Sequence, residues 1–185
     1  MEIAVQHGLT LWQAMSKIFH GWALIGRGER LRGGEVLKDG VAHWTKTGAK
    51  AGLTFFFASL VWSQWQSGAL DEAMLTIEEM EEWISQKGET FIQAELLRLR
   101  GEVMLTKRPD DGDAAEQHFL RGLEIARRQN ARAWELRLVM SLGRLWARRG
   151  RSSEARQIIE SSLAGFTEGL DTADLREARL LLQSL

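Results

Sequence analysis

Short side chains return along this chain at a nearly constant interval. Gly33, Ala73, Ala115 and Ala155 are separated by 40, 42 and 40 residues, and Gly21, Val61, Gly101 and Gly143 by 40, 40 and 42. A period of that length holds two helices and two turns, so the chain is expected to build stacked helix pairs rather than a sheet. Helix axes approach to about 8–10 Å, and the closest approaches need small side chains at the crossing. On this reading Gly21 opposes Gly33, Gly101 opposes Ala115 and Gly143 opposes Ala155. Leu24 and Leu37, Met104 and Phe119, and Trp146 and Ile159 then fill the space beside each crossing. Val61 is bulkier than its counterparts and predicts a slightly splayed second pair.

The predicted fold class is all-α, a single domain over 1–185 made of antiparallel helix pairs with a C-terminal capping helix. The repeats run over about 9–47, 51–87, 90–130 and 131–166, and the capping helix over about 171–185. Turn signals set these bounds. Gly26-Arg27-Gly28, Gly68 and Gly88 can take the positive φ that ends a helix. Pro109 cannot continue one, and Asp113 followed by Glu116 has the form of a capping box. Gly150 breaks the fourth repeat, with Ser152 as the expected N-cap of the return helix. In the last segment Leu175, Ala178 and Leu182 fall on one stripe among Arg176, Glu177 and Arg179, as a solubilising cap requires. Ile3, Ala4 and Val5 read as the end of a further apolar helix face.

Composition narrows the function classes. Apolar residues make 44% and charged residues 26% of the chain, with a single proline, which is a soluble helical composition. A formal charge of -1 gives no global attraction to nucleic acid or to an anionic membrane. Cysteine is absent, so no disulfide framework, thiolate nucleophile or sulfur-based zinc site can form. The opening residues lack the basic start and long apolar core of a signal peptide, and the apolar run 53–62 covers only about half a bilayer. A cytoplasmic protein is expected.

No catalytic constellation emerges. His7, His20, His43 and His118 have no second histidine three or four residues away. Asp110, Asp111 and Asp113 lack the spacing and closing glutamate of a calcium loop. Gly26-Arg27-Gly28 and Gly33-Gly34 are not followed by the lysine and hydroxyl residue of a phosphate loop. Glu78, Glu79, Glu81 and Glu82 read as a solvated helix face. No enzyme activity, metal or cofactor is therefore expected.

Leu142-Gly143, Trp146, Ala155 and Ile159 stand where the tetratricopeptide repeat family places its leucine-glycine, aromatic, alanine and large apolar landmarks. The chain resembles that family in a long form, with about 40 residues in place of 34. A closer likeness covers most of the chain. Ala94 to Glu102, Ala126-Arg127-Arg128-Gln129, Glu135-Leu136-Arg137 and Phe166 to Leu175 are similar to the C-terminal repeat region of large bacterial proteins. Those proteins join such repeats to an ATP-binding module and to a nucleotide cyclase or DNA-binding output domain. The resemblance implies a right-handed superhelical solenoid and an accessory, sensing or regulatory role without catalysis.

It also implies that the first helix of each pair lines a concave face. Equivalent positions then form ladders: Ile18, Ala58, Arg98 and Met140; Trp22, Trp62, Glu102 and Arg144; Met15, Phe55, Glu95 and Arg137; Ile25, Trp65, Leu105 and Arg148. The early repeats contribute an aromatic half and the later ones an arginine-rich half. Arg137, Arg144 and Arg148 share one helical stripe that carries no carboxylate of its own. Arginine forks suit carboxylates, and tryptophans supply large anchors. The expected partner is thus a protein or peptide with an apolar and an acidic segment, contacting Trp22, Trp62, Trp65, Arg98, Glu102, Arg137, Met140, Arg144 and Arg148. Two alternatives accompany this. Trp22, Trp62 and Trp65 can instead pack between repeats, and Arg98 can pair with Glu95 and Glu102 on its own helix.

Two further functions stay open. Single-stranded nucleic acid could track the arginine stripe and stack on Trp62 and Trp65. The acidic belt 71–89, seven carboxylates against Lys87, disfavours it. A homodimer through an uncapped first repeat would use Met15, Ile18, Trp22 and Ile25.

Overall fold

A computed structural model describes residues 2–50, 52–88 and 90–185, with Lys87 described by its backbone alone. The described residues form ten helices and no strand. The order is α1 Glu2–Gln6, α2 Thr10–Gly26, α3 Arg30–Lys46, α4 Leu53–Ser67, α5 Leu70–Lys87, α6 Gln93–Lys107, α7 Gly112–Arg128, α8 Arg132–Arg148, α9 Ser152–Leu163 and α10 Ala173–Ser184. The chain divides into two compact units, Met1–Ile92 and Gln93–Leu185.

In the first unit α2 packs on α3, α4 on α5, and α3 on α4, with the short α1 against α2. The α2–α3 crossing is made by two glycines. A Cβ at Gly21 would lie 2.8 Å from the Gly33 carbonyl oxygen, and one at Gly33 would lie 2.8 Å from the Gly21 carbonyl oxygen. A third close approach follows two turns along, where a Cβ at Gly40 would meet the Ile18 backbone at 2.8 Å. Val61 takes the equivalent place on α4 and is fully buried. Ile18, Leu37, Val41, Trp44, Leu53 and Phe56 form the centre of this unit's core.

In the second unit α6 pairs with α7 and α8 with α9, α8 also touches α6 and α7, and α10 covers α8 and α9. Ala115 and Ala155 are fully buried. The glycines expected opposite them instead make room for the residue one turn further on: a Cβ at Gly101 would run into the Phe119 ring, and one at Gly143 would lie 2.7 Å from Ile159 Cδ1. Leu175 and Ala178 of α10 are buried on this core and Leu182 is half-buried, while Arg176, Glu177 and Arg179 face outward.

Helix ends follow backbone geometry more than side-chain caps. Gly68 ends α4 with φ 82°, its amide hydrogen-bonded to the Gln64 and Trp65 carbonyls. Gly150 turns the chain between α8 and α9 with φ 76°. Two expected caps are corrected. The residue before α7 is Asp111 and the one before α9 is Arg151, and neither makes a side-chain cap hydrogen bond. Asp113 lies inside the first turn and pairs with Arg149 at 2.7 Å, and Glu116 is held by tertiary partners, so neither side chain serves its own helix end.

Candidate protein-interaction surface

The arginine stripe of α8 has carboxylate partners on other helices of its unit. Arg137 Nε donates to Asp174 of α10 at 2.7 Å, and its Nη1 lies 3.5 Å from Glu95 of α6. Arg144 pairs with Glu177, one turn further along α10. Ser141, on the same face of α8, donates to Glu102 of α6 at 2.6 Å. Arg98 forms a fork on Glu95, with two hydrogen bonds of 2.7 Å, and approaches Glu102 at 3.7 Å. Burial alone would lower the Arg98 pKa, but the adjacent Glu95 carboxylate, with Glu102 and Asp174, raises it above the ordinary arginine range. The pairing of Arg98 with Glu95 and Glu102 on its own helix is therefore the one the structure contains.

This face balances Arg98, Arg137 and Arg144 against Glu95, Glu102, Asp174 and Glu177. Each cation already has an anion within reach, so an acidic ligand would have to displace one. Met140 is buried, whereas Arg148 is exposed and has no ion pair among the described residues. A second cluster fixes the α8–α9 turn. Glu116 of α7 accepts from Trp146 Nε1 at 2.6 Å, Arg149 at 2.9 Å and Arg151 at 2.9 Å, and the Arg151 guanidinium lies 4.5 Å from the Trp146 ring centre. Hydrogen bonds to Glu154 and Glu116 hold Arg151 above its usual range, and Arg151 holds the Glu154 carboxyl below its own.

The first unit offers a different surface. The rings of Phe19 and Trp22 on α2 meet edge to face at 5.4 Å, and Trp22 meets Phe55 of α4 in the same way at 5.4 Å. Phe55 continues to Phe56 at 6.2 Å and Phe56 to Trp44 at 4.9 Å, which carries the chain of rings into the core. Trp12, Phe19, Phe55 and Trp62 are exposed, and Met15, Trp22 and Trp65 are half-buried. Residues 12, 15, 19 and 22 repeat at intervals of three, four and three, and therefore lie on one stripe of α2. Phe55 and Trp62, seven apart, share a stripe of α4. The alternative of tryptophans packed between repeats thus holds for Trp22, which meets Phe55 of the next pair, while Trp62 is exposed.

One expectation needs correcting. Ile18 and Ile25, placed on the exposed side of the first helix, are buried in the core of their unit, and the open positions of α2 are Trp12 and Phe19. Helix α2 is apolar around most of its circumference, with Lys17 and His20 its only ionisable side chains. Such a helix has no charged face to mark which side looks outward. A signal was nonetheless present: the stripe three residues earlier, 12-15-19-22, carries the larger aromatic rings.

Among the described residues, no group of three or more histidine, aspartate or glutamate side chains is placed to hold a metal ion. No helix of the described residues is long and apolar enough to cross a membrane. Neither a family model nor a curated protein matches the chain.

Proposed function

We propose that the chain is a non-catalytic helical-repeat module that recognises protein, with its helix pairs stacked as a right-handed tetratricopeptide-like solenoid. The observation that carries the reading is the row of aromatic rings left open on α2 and α4. A helix pair has no structural need to leave two tryptophans and two phenylalanines in water, and contiguous exposed apolar surface of this kind marks interaction sites. Tryptophan and phenylalanine supply large buried area at small entropic cost, which suits them to anchor a partner. Helix α4 contains no ionisable side chain, and Lys17 of α2 is engaged by Asp39 of α3 at 2.6 Å. Recognition here is apolar, which favours a protein segment over nucleic acid. The ion pairs of Arg98, Arg137 and Arg144 serve to brace the second unit. A regulatory or sensing role in the cytoplasm follows from the resemblance to repeat regions of bacterial multidomain ATPases, cyclases and transcriptional regulators.

A displayed library of helical peptides tests this. Selected peptides are expected to carry aliphatic residues at i, i+3 or i+4, and i+7, and to lose binding to a Trp62→Ser variant. Peptides that bind that variant as well as the unaltered protein would refute the assignment.

A further inference from the structure

We propose that the occupant of the α2 stripe is a second copy of the same stripe, giving a two-fold homodimer; this rests on reading the aromatic face as a docking surface. Three observations point to self-pairing. The first is spacing. Trp12, Met15, Phe19 and Trp22 are separated by three, four and three residues, a pattern that reads the same in both directions. Two copies laid antiparallel therefore set Trp12 against the partner's Trp22 and Met15 against the partner's Phe19, every knob meeting an apolar counterpart.

The second is charge. A two-fold interface lays each stripe against its own copy, so the like charges of a charged stripe would face one another. Here the stripe and its flanks, Ser16 and Ala23, carry no charge. Lys17 lies on the opposite side of the helix, where it reaches Asp39 of α3. On the adjoining helix the stripe of Phe55, Ser59 and Trp62 is likewise uncharged.

The third is area. Trp12 is 56% exposed, Phe19 49%, Phe55 36% and Trp62 38%. At about 150–250 Å² per aromatic side chain, the four rings present roughly 400 Å². A standard interface buries about 800 Å² per partner, of which about 60% is apolar. The four rings thus supply most of the apolar surface that such a dimer requires.

Sedimentation equilibrium of the full chain at about 100 μM tests the proposal in a range where weak dimers form. The expected result is an apparent mass near twice 20.9 kDa. Phe19→Glu should return the monomer mass, because an unpaired carboxylate buried against the partner's Met15 weakens pairing by about 100-fold or more. Leu31→Glu, at an exposed site of α3 away from the stripe, should leave the dimer intact. Far-UV circular dichroism checks that both variants fold. A monomeric unaltered protein, or a dimer indifferent to Phe19→Glu, overturns the proposal. Binding of the dye anilinonaphthalene sulfonate separates the two levels of the argument. A monomer whose dye binding is lost in a Phe19→Ser, Trp62→Ser variant overturns self-pairing alone, and one with no such binding overturns the docking face as well.

Discussion

Replacing Gly21 by alanine tests the helix crossing on which the first unit is built. The added methyl carbon would lie 2.7 Å from the Leu37 amide nitrogen and 2.8 Å from the Gly33 carbonyl oxygen. Ordinary contacts of carbon stand at about 3.5–4.0 Å. Both obstacles are backbone atoms, which cannot rotate aside, so α2 and α3 must part by several tenths of an ångström along the crossing. Overpacking of this kind costs about 1–3 kcal/mol, towards the upper end where backbone is hit. Helix propensity opposes it, since alanine is better than glycine in a helix interior by about 1 kcal/mol. The net expectation is a loss of about 1–2 kcal/mol. Gly26→Ala is the matched control. It lies at the last position of α2, with nothing within 4 Å of the new methyl, so only the propensity gain remains. Urea unfolding followed by circular dichroism reads both variants, and each 1 kcal/mol is worth about 2–4 °C in Tm for a chain of this size. Equal stability of Gly21→Ala and Gly26→Ala would refute the close-crossing argument.

Three further predictions concern the polar clusters. Glu116→Ala leaves Trp146 Nε1 and two guanidinium groups without their shared acceptor and should destabilise by about 1–3 kcal/mol in the same assay, whereas Glu124→Ala, whose Arg128 pair is exposed, should change stability by less than about 0.5 kcal/mol. Arg98→Met strands the buried Glu95 carboxylate beside only the more distant Arg137 and should cost about 3–5 kcal/mol; the double variant with Glu95→Leu should recover much of that loss. Burial, with Arg100 and Arg121 nearby, holds the His118 pKa below its usual value. The unfolded chain then takes up a proton near pH 6.5 before the folded one does, so this histidine's contribution to stability is present above that pH and declines as pH falls towards the folded pKa. An NMR titration should place the His118 midpoint below 6.5, and His118→Gln should flatten the fall in stability below that pH.

Much of the fold was legible because helix packing constrains short stretches. Gly21 and Gly33 announce their crossing by size alone, and the end of α4 follows from Gly68. The same reasoning placed Gly101 and Gly143 against alanines, whereas their nearest neighbours are Phe119 and Ile159, one turn further on. A crossing point can slide by a turn without altering the period that reveals it.

The site was harder to read. The arginine stripe of α8 showed no carboxylate on its own face, and its partners Asp174 and Glu177 lie 37 and 33 residues later in the chain. Spacing within one helix cannot register a pair made between helices. The capping box expected at Asp113 and Glu116 failed for a related reason: Arg149, just past the end of α8, draws both carboxylates into ion pairs.

The proposed function assigns recognition to the aromatic face of α2 and α4 and a structural role to the charged face of α6, α8 and α10. Hydrogen exchange of the protein with and without a selected helical peptide addresses it most directly. Added protection confined to segments of α2 and α4 is predicted, and protection centred on α8 and α10 would contradict it.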